Sequence, residues 1–191
     1  MPDNQEPKVG RPRQYGLEPL PGCADPETGL AAAALNELRE RVIDQIIDLP
    51  EEALTFAPEG LNFSIASLVV HMVWAEMDWV SRIGETSPPE GLRDLVDRAG
   101  RALPAGERVI PALSADALVA LCRQVRDDVT APTLSNVDNV TRELPGEGPS
   151  ATIRGVLMHV IWHWTYHSGQ VGLLRELWGS GYVWTFGSMA A

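Results

Sequence analysis

The 191-residue chain has little cysteine, little histidine and no long uninterrupted apolar run. Its two cysteines, Cys23 and Cys122, lie far apart and in no ligand-type spacing. That excludes a disulfide framework and a cysteine-based zinc knuckle, and reads as two reduced thiols of a cytosolic protein. Basic charge is also short: 15 Lys and Arg stand against 26 Asp and Glu, a formal net charge of -11. So acidic a surface repels phosphate backbones, and no basic patch overrides it, so direct nucleic-acid binding is excluded. The N-terminus, M-P-D-N-Q-E-P-K, has no apolar core and is no signal peptide. The longest apolar stretch, Ile65 to Val80, is broken by His71, Glu76 and Asp78, so no membrane span is expected. A nucleophile elbow and a phosphate-cradling glycine loop are both missing. No internal repeat and no convincing β-strand is visible.

What is there is a chain of amphipathic helices. Hydrophobic residues make up 45% and charged residues 21%, which suits one soluble domain with a full core. Residues 1–28, rich in Pro and Gly, read as an irregular N-terminal arm over the surface. Residues 29–191 read as one helical domain. A first helix is expected from Leu30 to Leu49, closed by Pro50, with Leu35, Leu38, Val42, Ile46 and Leu49 as its buried stripe. Asn36, Glu37, Arg39, Glu40 and Asp44 take its outer face, where Glu37 and Arg41 form an i,i+4 pair. A second helix, capped by Asn62 or Ser64, runs to Ile83 and stops at Gly84. Its stripe is Leu68, His71, Met72, Ala75, Trp79 and Ile83. The crossover 85–111 contains a short helix around Leu92, Leu95 and Val96. A third helix, capped by Ser114, runs to about Leu134 with Pro132 kinking its end. The fourth, capped by Ser150 or Thr152, runs to Trp178 and stops at Gly179. Four long helices with two long crossovers make a helix bundle.

Three of the four histidines, His159, His163 and His167, fall four residues apart on the fourth helix, and the fourth, His71, lies on the inward stripe of the second. A lone histidine on an apolar face is ordinarily a satisfied core residue. A triplet is different, because burying imidazoles without partners costs about 1–3 kcal/mol each. Neutral imidazole is the commonest ligand for first-row metals, and two at i and i+4 can share one ion. His159 and His167 are about 12 Å apart along the helix axis, so only His159/His163 or His163/His167 can bind together. Spacing alone does not choose between them. His71 is the candidate third ligand, and three histidines leave a coordination position open. Gln170, one turn past His167, is placed to orient a ligand. Tyr166 stands at the rim, and Asp78, two turns from His71, is a candidate carboxylate near the site. Arg175 and Glu176 read as surface or salt-bridge residues.

Two segments carry a family resemblance: N-F-S-I-A-S-L-V-V-H-M-V-W-A-E-M-D-W, and G-V-L-M-H-V-I-W-H-W-T-Y-H-S-G-Q-V-G-L-L-R-E-L with its H-x-x-x-H-x-G-Q ending. Over residues 30–178 the pattern resembles the DinB/YfiT-like family of bacterial proteins. The resemblance implies an all-α four-helix bundle in up-down-down-up order and a divalent metal ion, Zn or Ni foremost, on His71, His163 and His167. His159 is then left as a neighbour of the metal ligands, and Gln170 and Asp78 remain, from their spacing, the residues expected to support those ligands. Some relatives are thiol-dependent transferases or isomerases using mycothiol or bacillithiol. The expected function is therefore a metal-dependent thiol S-transferase in detoxification. The alternatives are a metal-dependent hydrolase with Asp78 as base and a non-catalytic metal- or small-molecule-binding protein. The expected partners are a small-molecule substrate, a low-molecular-weight thiol among them, and a second copy in a homodimer. Ser168 stands where many relatives carry Arg, which bears on substrate class.

Overall fold

The computed structural model describes residues 6–100, 112–145 and 151–186. The elements are β1 (Lys8–Arg13), α1 (Pro26–Ile46), α2 (Glu51–Thr55), α3 (Ile65–Ile83), α4 (Glu90–Gly100), α5 (Ala115–Val125), a π-helical turn (Arg126–Thr130), α6 (Ala131–Ser135), α7 (Ile153–Trp178) and β2 (Tyr182–Phe186). This is the expected all-α bundle, with α1, α3, the α5–α6 run and α7 as its long members. No helix among the described residues is long and apolar enough to cross a membrane.

Local chemistry sets the helix ends. Asp25 caps α1, its carboxylate accepting from the amides of Glu27 and Thr28 at 2.7 and 3.2 Å. Pro26 supplies the first helical residue, whose missing N–H costs nothing there. The helix thus starts four residues before the expected Leu30. Ser64, not Asn62, caps α3 in a reciprocal box with Ser67. Thr152 caps α7, while its alternative, Ser150, lies outside the described residues, as do residues 101–111 of the long crossover. Gly179 ends α7 at φ 95, a left-handed conformation that favours glycine. The kink expected at Pro132 is realised upstream as the π-turn. Pro132 offers no amide to the carbonyl of Asp128 and its ring crowds that carbonyl, so the preceding turn widens.

The core runs between α1, α3, α5 and α7. On α3 burial extends well beyond the expected stripe: Val69, Val70, Val73, Met77 and Val80 are buried along with Leu68 and Met72. Each such side chain contributes about 1.5–3 kcal/mol. Val96 and Leu92 of α4 close one side of α3.

One expectation for a charged residue is corrected and another is narrowed. Arg39, placed on the outer face of α1, is 1% exposed and ion-paired with Glu76 of α3, which is 0% exposed. Asn36 accepts a second bond from its guanidinium at 2.6 Å, and the Thr130 hydroxyl of the π-turn donates to Glu76 at 2.5 Å. The apolar stripe of α1 is flanked closely enough that a long guanidinium stem bends inward to reach a carboxylate. Arg175, read as a surface or salt-bridge residue, takes the second role, and it is buried. It donates to both Asp48 oxygens at 2.8 and 2.7 Å and to the Ser180 carbonyl at 2.8 Å, tying the end of α7 to the end of α1. The expected Glu37–Arg41 pair forms at 2.7 Å.

The absence of strands is also corrected. β1 and β2 pair in parallel, Lys8 opposite Tyr182 and Val9 opposite Val183, with a register shift before Pro12 opposite Thr185. Pro12 interrupts the alternation by which a strand is read, which is why the arm looked irregular. Gly10 lets the strands meet: a Cβ there would fall 2.1 Å from the Tyr182 hydroxyl oxygen. That hydroxyl donates to Asp44 of α1 at 2.5 Å.

Removing one partner of the Arg39–Glu76 pair leaves a buried charge uncompensated. Glu76→Leu is expected to cost about 3–5 kcal/mol in urea unfolding, and Arg39→Leu combined with Glu76→Leu distinctly less than the sum of the single changes.

Candidate metal centre

α3 and α7 pack against each other through core residues, among them Val160, Trp164 and Val171 on α7 and Met72 on α3. His159, His163, His167 and Gln170 recur on the neighbouring face of α7, turned toward α3. From α3, His71 answers them. The Nε2 atoms of His71 and His163 stand 3.0 Å apart. The ring of His167 lies edge-on to both, at 4.9 Å from His71 and 4.4 Å from His163. One nitrogen from each of these three rings falls within 4.8 Å of the others.

The donor set fits a divalent cation. Metal–imidazole bonds of about 2.0–2.1 Å at tetrahedral angles separate the nitrogens by about 3.3 Å. The observed Nε2 pair is close to that spacing. The carboxamide oxygen of Gln170 stands 2.6 Å from Nδ1 of His167. Nδ1 therefore carries the proton and donates it to Gln170, which turns the Nε2 lone pair toward the other two rings. Nδ1 of His163 is buried without a hydrogen-bond partner among the described residues, so that ring is oriented by packing and by its Nε2 contact with His71.

Electrostatics suit the same role. Burial, then the neighbouring imidazoles, push His163 down to about 3 and His71 down to about 4. His167 is lowered as well, mainly by burial, and the bond to Gln170 opposes this. All three are neutral at pH 7, the state in which imidazole ligates metal.

The structure thus brings together His71, His163 and His167, with Gln170 behind His167. His159 stands beside this group, 6.1 Å from His163 between ring centroids. Asp78 is held elsewhere, accepting from Arg82 at 2.8 Å. Tyr166 is 57% exposed, its ring edge-on to His167 at 5.1 Å. Ser168 is buried and accepts from Gln45 at 3.2 Å. Trp74, one turn along α3 and absent from the expected site, stacks on His71 with planes 20° apart. Its spacing of three from His71 on one helix was the available signal. Cys23 and Cys122 are both free, and burial pushes the Cys122 thiol up to about 12, where it is inert.

A four-helix bundle with three inward histidines divided between α3 and α7 places the chain among DinB-like proteins. More particularly, residues 30–179 match the family model of mycothiol S-transferases, and the chain belongs to that family. Among solved structures, the conserved protein of locus from Enterococcus faecalis superposes with a TM-score of 0.65 at 16% identity, over 78% of this chain and 95% of that one. At that identity the likeness shows the fold alone. No curated protein matches the chain.

Two outcomes are expected. His163→Ala should abolish stoichiometric zinc binding by elemental analysis, whereas Gln170→Leu should retain the site but weaken it about 10–100-fold in chelator competition. In the metal-free protein the unfolded chain takes up protons near the ordinary imidazole value of 6.5, while the folded rings wait until about 4 or about 3. Between those limits the unfolded state binds more protons, so stability falls as pH falls through that window. The melting temperature of the metal-free protein should therefore drop between pH 7 and 4.5, and the drop should be smaller in His71→Gln.

Proposed function

We propose that the protein is a metal-dependent S-transferase that joins a low-molecular-weight thiol of the mycothiol type to an electrophilic carbon. The observation that carries this reading is a set of three neutral histidines converging from two helices in a chain of the mycothiol S-transferase family. His71, His163 and His167 would hold the ion, Zn or Ni, with a further position open to a ligand. When bound, the cation lowers the pKa of a thiol that reaches it and so supplies thiolate at neutral pH.

The chain's own residues do the rest. Burial of His71 and His163 keeps their lone pairs unprotonated. Gln170 accepts from Nδ1 of His167 and prevents that ring from turning away. Trp74 covers one face of His71 and limits water there. In the overall reaction the thiol proton goes to solvent, a sulfur lone pair forms the new S–C bond, and the leaving group departs with the electron pair of the bond that breaks. No carboxylate belongs to the metal-ligating group among the described residues, and Asp78 is engaged by Arg82. This favours thiol transfer over hydrolysis with Asp78 as base.

The test is direct. Zinc-loaded protein is incubated with mycothiol and an alkyl halide, and thioether is followed by mass spectrometry. Catalysed thioether formation is expected, lost in His163→Ala and in chelator-treated protein. Cobalt-loaded protein should also gain thiolate-to-metal charge-transfer absorption on adding mycothiol. If neither mycothiol nor bacillithiol produces thioether or that absorption while the protein retains its metal, the reading fails.

A further inference from the structure

The thiol chemistry leaves several aromatic side chains around the metal centre without a task. On α3, Trp79 meets His159 edge-on with centroids 5.2 Å apart. On α7, Trp162 meets the same imidazole at 6.2 Å. His159 lies 6.1 Å from His163. Further along the seam, Trp74 lies against His71 and Tyr166 against His167. The rings form a wall that starts beside the candidate ligands and extends over Trp79 and Trp162. Trp162 is 66% exposed. An indole so placed packs by one edge on His159 and leaves a large apolar face in water.

The charge around this wall also selects. Arg82 lies over the Trp79 ring at 4.7 Å, and Asp78 neutralises it at 2.8 Å. The chain as a whole carries -11, which opposes the approach of anions. Flat rings offer offset-stacked and edge-to-face contacts to another flat ring that an aliphatic body cannot match.

From this we infer that the Trp79–His159–Trp162 wall seats the electrophile, and that the electrophile is an uncharged, flat aryl or arylalkyl compound. The inference rests on the S-transferase reading for the word electrophile, but the aromatic binding itself does not. A reacting carbon must come within about 3–3.5 Å of the sulfur. With the sulfur at the His71–His163–His167 group, the rest of a two-ring compound falls one ring distance further along the seam, where His159 and the two indoles stand. His159 is thus a positioning residue, bracing the wall between two tryptophans.

The test uses full-length, zinc-loaded protein and three unreactive probes: naphthalene methanol, naphthalene sulfonate and cyclohexylmethanol, followed by tryptophan fluorescence and calorimetry. Naphthalene methanol should bind about tenfold more tightly than either of the others, from stacking on one side and charge on the other. Trp162→Ala should weaken it about fivefold, with Trp162→Phe restoring most of the loss. Circular dichroism and zinc content should be unchanged, since Trp162 is largely exposed. Equal binding of the three probes, or an unchanged naphthalene methanol affinity in Trp162→Ala, overturns the inference. Sedimentation would then tell whether a second copy covers Trp162. Because no turnover is required, loss of probe binding leaves thiol transfer standing. Normal probe binding with no thioether from any electrophile removes transfer and keeps the aromatic site.

Discussion

The close approach of two imidazole nitrogens across the α3–α7 seam is the constraint on which the site depends. At 3.0 Å, Nε2 of His71 and Nε2 of His163 cannot both carry a proton, and two bare lone pairs at that distance repel. The arrangement is relieved by one shared proton or by a cation between the rings. Burial has pushed both imidazoles far below their ordinary value, so the contact is answered by one neutral ring donating its single N–H to the other or by a cation between them. A third neutral ring, held by Gln170, makes the cation the better counterpart.

The seam is also held away from the histidines. The Arg39–Glu76–Thr130 cluster does so from within, joining α1, α3 and the π-turn. Arg39 also lies over the buried Trp164 ring at 5.7 Å, next in sequence to His163. The far end is clasped by Arg175 to Asp48 and by Tyr182 to Asp44. Both terminal strands are thereby anchored to α1. The polar groups that a surface reading would discard are the ones that fix the helices carrying the candidate ligands.

How much of this was legible in the sequence depends on the physics behind each signal. The helices were, because a 3–4 repeat of apolar residues is a local property. The candidate ligands were partly legible: i,i+4 spacing excludes His159 with His167 on one ion but is silent on which neighbour pairs with His163. That choice turns on where the partner helix crosses, which is a tertiary fact, and here the family resemblance supplied the pairing that the geometry also brings together. Arg39 was misplaced because periodicity assigns a face by average polarity, while a long side chain can reach across it. Glu76 carried the missing signal, a carboxylate in an otherwise apolar helix that needs a buried cation. The strands were invisible because β1 and β2 pair across nearly the whole chain length, and Gly10 and Pro12 mask the alternation of β1.

Three half-buried rings with no fourth protein ligand among the described residues differ from a sealed structural site. A sealed zinc site satisfies the ion with four protein ligands and gains nothing from solvent access. Here the three rings are half-buried, enough to remain neutral yet not enclosed. Exposed Tyr166 and Trp162 stand on the same helix, one turn apart, next to His167 and His159. A purely structural ion would be served as well by burying those rings over it, and the fold would gain the hydrophobic free energy of two large aromatics. Left in water, they keep apolar surface free beside the candidate ligands. The arrangement makes sense if a ligand arriving at the open side completes the burial, so that apolar surface withheld from folding becomes available for binding.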